Sequence, residues 1–173
     1  MKRFQVKVCG NNNIENFKEI AAVEPDYVGF IFYPKSKRFV EDESVFEVFP
    51  NAEKVGVFVN ESIENILEKV EQYKLDVVQL HGDESFAFAV HLQQTLPIPV
   101  IKAVRVNAQT DWAEIARHID QLAGVLLDSD SAGYGGSGHG FDWHSIPEEL
   151  RGRIILSGGL SVDSVGEAIA QIA

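Results

Sequence analysis

Two residues of opposite chemical character sit where short apolar runs give way to polar or glycine-rich segments. They are Cys9, in Lys7-Val8-Cys9-Gly10, and Asp128, in Leu126-Leu127-Asp128. A thiol that ionises can act as a base and a carboxyl that stays protonated can act as an acid, so the pair points to proton transfer in an α/β enzyme. A free cysteine titrates near pH 8.5 and a free aspartate near 3.9, so both roles need help from their surroundings. Lys7, on the same strand face as Cys9, is a candidate helper because a nearby cation favours the thiolate. Burial beside Leu126 and Leu127 would favour the protonated carboxyl. Taken alone, Cys9 reads more readily as an inert packed thiol, the commoner fate of a lone cysteine, and Asp128 as a loop cap.

The elements that must position these groups alternate along the whole chain. Strand-like runs occur at 5–8, 27–31, 54–59, 77–80, 100–104, 124–127 and 153–156. Between them lie amphipathic helical patterns. Ile63, Ile66, Leu67, Val70 and Tyr73 fall on one face after Ser62, and Val162, Val165, Ile169 and Ile172 repeat that spacing after Ser161. Seven βα units in series predict a parallel sheet with helices outside, either doubly wound or closed as a barrel. Strand parity favours the barrel. Lys7 and Cys9 share a face, as do Gln79 and His81, and Asp128 shares one with Leu126. With Lys102 added, these place polar groups from four strands at the carboxyl ends, where barrels build their sites. Gln79 and Lys102 each read equally well as site residues or as interior groups satisfied by neighbours.

Composition excludes several classes. The chain has 173 residues, 45% of them hydrophobic, and a formal charge of -11, without the basic runs that nucleic acid or an anionic membrane would require. No apolar run reaches the roughly 20 residues that span a bilayer, and no signal sequence is visible at the N-terminus, so a soluble cytoplasmic protein is expected. A single cysteine precludes an internal disulfide, and no histidine cluster has metal-ligand spacing. No metal or cofactor is expected. Gly133, Gly135 and Gly138 satisfy G-x-G-x-x-G, but they do not connect a first strand to its helix and no acidic strand end follows, so dinucleotide binding is not expected. His91 and His118 read as surface residues of helices, while His139 and His144 flank a loop. His81 alone has a site-like position.

Eight motifs in order carry a family resemblance. They are Lys7-Val8-Cys9-Gly10; Val28-Gly29-Phe30-Ile31-Phe32-Tyr33-Pro34-Lys35-Ser36-Lys37-Arg38; Val55-Gly56-Val57-Phe58-Val59-Asn60; Val78-Gln79-Leu80-His81-Gly82-Asp83-Glu84; Ile101-Lys102-Ala103; Leu126-Leu127-Asp128; Gly135-Gly136-Ser137-Gly138 with Phe141-Asp142-Trp143; and Ser157-Gly158-Gly159-Leu160. Together they resemble phosphoribosylanthranilate isomerase, a (β/α)8 TIM barrel of tryptophan biosynthesis. The resemblance implies an Amadori rearrangement of N-(5-phosphoribosyl)anthranilate to 1-(2-carboxyphenylamino)-1-deoxyribulose 5-phosphate.

In that family the aspartate matching Asp128 protonates the furanose oxygen and the cysteine matching Cys9 removes the C2′ proton. The resemblance further implies that Arg38 grips the anthranilate carboxylate, with Lys35 and Lys37 raising the local potential. Gly158 and Gly159 would approach the phosphate through their backbone, and Gly136 lies in a loop resembling the family's cover over the substrate. Lys7 and His81 complete the expected substrate contacts. The expected partner is a small phosphorylated substrate, and the expected state a monomer or homodimer. Family members continue into an eighth strand that this chain lacks, so residues 1–173 read as one C-terminally incomplete barrel domain with seven βα units. The competing expectation is a truncated, weakly active or inactive barrel that binds a phosphosugar or a partner without turnover.

Overall fold

The computed structural model describes residues 4–49, 51–129 and 141–172. Seven parallel strands form one sheet in sequence order: β1 Lys7–Cys9, β2 Tyr27–Ile31, β3 Glu53–Phe58, β4 Val77–Leu80, β5 Val100–Val106, β6 Gly124–Ser129 and β7 Ile154–Leu156. Their runs of Val, Ile and Leu suit parallel strands covered on both faces. Five α-helices are described: α1 Ile14–Ala21, α2 Ile63–Tyr73, α3 Phe86–Thr95, α4 Trp112–His118 and α5 Val165–Ile172. The first four begin where a short polar side chain accepts a backbone N–H of the first turn. Asn13 accepts from Glu15, Ser62 from Asn65, Ser85 from Phe88 and Asp111 from Glu114.

Two expectations about the helices change. The described residues between β2 and β3, and between β6 and β7, contain 3-10 turns at Glu43–Glu47, Trp143–Ser145 and Glu148–Leu150 instead of α-helix. Val162 is 93% exposed and precedes α5 instead of extending its apolar face. The Ser161 and Ser164 hydroxyls explain this. Ser161 Oγ accepts the Ser164 N–H, so the chain turns there and the helix starts at Val165.

The sheet curls, and a single bond demonstrates it. Strands three apart in a flat sheet lie about 14 Å from each other, yet Lys7 Nζ on β1 donates to Gln79 Oε1 on β4 at 2.5 Å. The two faces are therefore unequal. Ile31, Val55, Val57 and Val77 form an inner cluster with Tyr27, Tyr33 and Ile101. Residues of the other parity, among them Val28, Phe30, Val78, Leu80 and Val100, pack outward on Phe17, Ile66 and Leu92 of the helices. Farther round, Val125 and Leu127 pack on Ile115, Ile119, Ile146 and Leu150. Phe30 lies at the centre of the outer aromatic stack, with ring centroids 4.3 Å from Phe46 and 5.4 Å from Phe17.

Parity assigns the polar strand residues. Cys9 pairs with Gly29, Gln79 with Ile101, and Arg105 with Asp128, all in inward register. Lys102 pairs with Leu80 and Val125, which face the helices. It therefore does not join the barrel mouth, contrary to the convergence expected from sequence. Its ammonium is consumed beneath the β4–α3 loop, donating to Gly82 O at 3.0 Å and Ala103 O at 2.6 Å and facing Glu84 Oε2 at 3.5 Å. Desolvation lowers its pKa from the ordinary lysine value, opposed chiefly by Glu84.

Glu84 is the other half of this knot. Its carboxylate accepts N–H groups from Asn60 at 2.6 Å and Gly82 at 2.9 Å, tying the ends of β3, β4 and β5 around His81. Removing one member of a buried pair strands the other. Lys102→Met is accordingly expected to lower stability by about 3 kcal/mol in urea titrations. The double variant with Glu84→Gln should lose less than the sum of the two single changes.

Candidate active site

Asp128 lies near the end of β6 and is 6% exposed. Its Oδ1 accepts the Ser129 N–H at 2.9 Å, and its Oδ2 stands 3.3 Å from His81 Nε2. His81 follows β4, and its Nδ1 stands 2.9 Å from Gln79 Nε2. With the Lys7–Gln79 bond, this makes one string of polar groups from β1 to β6. Gly158 backs this carboxyl. A Cβ there would collide with Asp128 Oδ1, Ser129 Oγ and the Ser129 nitrogen, and its φ is +74°. Gly159 follows at φ +67°. Two successive left-handed residues, separated from the end of β7 by Ser157, admit glycine readily and other residues at a cost.

Cys9 ends β1, and its thiol is exposed and free. Gly29, its partner across the β1–β2 pair, leaves space that the thiol fills. A Cβ on Gly29 would collide with Cys9 Sγ and sit 3.1 Å from Lys7 Cε. The stem of Lys7 thus lies beside the thiol while its ammonium reaches across to Gln79. Gly10, at φ +91°, does the same for Arg38. A Cβ there would fall 2.9 Å from Arg38 Cδ and 3.0 Å from Cζ, so the guanidinium stem crosses the backbone one residue beyond the thiol.

The structure thus gathers Lys7, Cys9, Arg38, Gln79, His81, Asp128 and Gly158 at the carboxyl ends of the strands. Gly136 and the G-x-G-x-x-G stretch lie outside the described residues. Lys35 and Lys37 are exposed, and the Lys37 carbonyl accepts from Asn12 Nδ2 at 3.0 Å. His91 is exposed as expected. His118 is not simply a surface group, since it is half-buried and stacks on Phe86 at 5.2 Å. Three participants, Ser129, Glu84 and Asn60, carry no functional signal in the sequence. Ser129 Oγ is buried without a hydrogen-bond partner among the described residues, and it faces Gly158. Alternation within Val78-Gln79-Leu80-His81 was the available signal for Gln79, whereas Ser129 carried none.

Two cavities lie outside the Cys9–Asp128 cluster, the first of them sharing Gly159 with the site. One of about 400 Å³ is lined by Phe141, Trp143, His144, Gly159 and Ser164 together with the acids Asp142 and Glu167. The other, of about 280 Å³, lies against α2. Neither is lined by Cys9 or Asp128.

A carboxyl, a thiol and cationic side chains gathered at the carboxyl ends of a curled parallel sheet define an enzyme of the α/β-barrel class. A family model described as "PRAI: N-(5'phosphoribosyl)anthranilate (PRA) isomerase" matches residues 6–173, and the chain belongs to that family. The N-(5'-phosphoribosyl)anthranilate isomerase of Dechloromonas aromatica is 37% identical to it over 97% of this chain and 81% of the relative. The crystal structure of phosphoribosyl anthranilate isomerase from Thermus thermophilus superposes with a TM-score of 0.80 at 29% identity, covering 97% of this chain and 83% of that one. A family structure in complex with reduced 1-(o-carboxyphenylamino)-1-deoxyribulose 5-phosphate superposes with a TM-score of 0.73 at 34% identity, over 98% of this chain and 83% of that one.

Proposed function

We propose that Asp128 and Cys9 are the acid and base with which this member of the isomerase family rearranges N-(5'-phosphoribosyl)anthranilate. The reaction opens the furanose as Asp128 gives a proton to the ring oxygen and the C1′–O bond breaks, with the anilino nitrogen supplying electrons to form the Schiff base. Cys9, as thiolate, then removes the proton from C2′. The resulting enol collapses to the 2′-ketone with protonation at C1′, giving 1-(2-carboxyphenylamino)-1-deoxyribulose 5-phosphate.

The observation that carries this reading is the joint placement of an open thiol and a buried carboxyl in inward register on β1 and β6. Arg38 beside the thiol supports recognition of the anthranilate carboxylate, because a guanidinium fork matches a carboxylate. The left-handed Gly158 and Gly159 support backbone approach to phosphate, since they leave N–H groups unobstructed by side chains. The chain should therefore quench the fluorescence of N-(5'-phosphoribosyl)anthranilate generated in situ, at a rate proportional to protein concentration. Binding of a product analogue without any such decay would leave the non-catalytic reading standing in its place.

A further inference from the structure

Gln79 is 2% exposed and both ends of its amide are engaged, so their polarity can be worked out from chemistry. An ammonium has donors only, so the end of Gln79 that meets Lys7 Nζ at 2.5 Å is the carbonyl oxygen. That orientation turns the NH₂ end toward His81 Nδ1 at 2.9 Å. An amide NH₂ donates and does not accept, so Nδ1 must accept and the neutral ring carries its hydrogen on Nε2. Nε2 is the atom 3.3 Å from Asp128 Oδ2.

We propose that Lys7 and Gln79 are positioning residues that fix His81 as the Nε2–H tautomer and thereby make it a hydrogen-bond donor to Asp128. The inference rests on Asp128 being the acid, and it adds a reason why that acid works toward the substrate. Both carboxyl oxygens of Asp128 then face donors, Oδ2 the His81 Nε2–H and Oδ1 the Ser129 N–H. Neither neighbour can accept the acid's proton. With both neighbours donating, the acid's proton is left for the ring oxygen of a bound substrate. With the opposite tautomer, bare Nε2 would accept that proton sideways and divert it from the substrate. Lys7 is the anchor of the argument, because a neutral partner in its place would let the Gln79 amide turn over and reverse every bond in the string.

The test is side-chain ¹⁵N NMR of the full chain labelled at histidine, with His81→Asn assigning the signals, alongside steady-state kinetics. The wild type should show His81 bearing hydrogen on Nε2 and bare at Nδ1. Gln79→Glu keeps the size and the Lys7 contact but presents an acceptor to the ring. It should put hydrogen on Nδ1 and lower kcat at least about tenfold with KM within about twofold. Lys7→Met, at a half-buried site, should mix the tautomers and lower kcat less; it carries the same readout if Gln79→Glu does not fold. Hydrogen on Nδ1 in the wild type, or an unchanged tautomer and kcat in the folded variants, would overturn the inference. Should Asp128→Asn keep its turnover while the wild-type tautomer is as expected, the acid assignment fails and the lock itself stands.

Discussion

Asp128→Asn is expected to keep substrate affinity while losing at least about a hundredfold in kcat. Asparagine has the same shape, so the backing by Gly158 and the close of β6 are preserved. What it lacks is a transferable proton. It also meets a polarity mismatch, since the site offers two donors, Ser129 N–H and His81 Nε2, and an amide supplies a single acceptor. One donor is then left facing a donor in a buried place, which should cost about 1 kcal/mol of stability. Steady-state kinetics together with urea melts separate the two effects. A variant that melts like the wild type yet turns over at more than a tenth of its rate would remove Asp128 from the mechanism.

Cys9→Ala should lose kcat by a similar factor, at least about a hundredfold, with no measurable change in stability. The thiol is exposed, so its removal leaves no buried cavity. Serine should rescue nothing, because a hydroxyl does not supply the thiolate that abstracts a carbon-bound proton. Cys9 is the only cysteine of the chain, so alkylation by iodoacetamide reports on it without ambiguity. Inactivation should follow the stoichiometry of one alkyl group and be slowed by a product analogue. Full turnover after complete alkylation would place the base elsewhere.

The sequence showed where polar groups interrupt apolar strands, and parity within a strand carried much of the site. Lys7 with Cys9, Gln79 with His81 and Leu126 with Asp128 were legible because side chains alternate strictly. Lys102 was not. A buried parallel strand is apolar on both faces, so Val100-Ile101-Lys102-Ala103 does not announce which parity points inward, and only the register with Leu80 and Val125 decides it. The contact between Gly158 and Asp128 was likewise invisible, since a glycine records that space is needed without naming what fills it. The two connections that hold 3-10 turns carry apolar residues at spacings that also suit a helix. Phe46 stacking on Phe30 and Tyr73, and not any local propensity, fixes the first of them.

The proposed acid and base differ in how firmly they are held. Asp128 sits on a six-residue strand covered on both faces, whereas Cys9 belongs to a three-residue strand joined by a short register to β2. The Lys7–Gln79 bond ties this strand to β4 across 72 positions of sequence, so no local structure supports it. Segments of this kind breathe open at a fraction of the free energy that unfolds a core. Each such opening carries the thiol away while the histidine, the carboxylate and the paired glycines stay assembled. Thermal inactivation is therefore expected as a local event, the detachment of one short ribbon, with activity lost at temperatures where the far-ultraviolet signal of the barrel is unchanged.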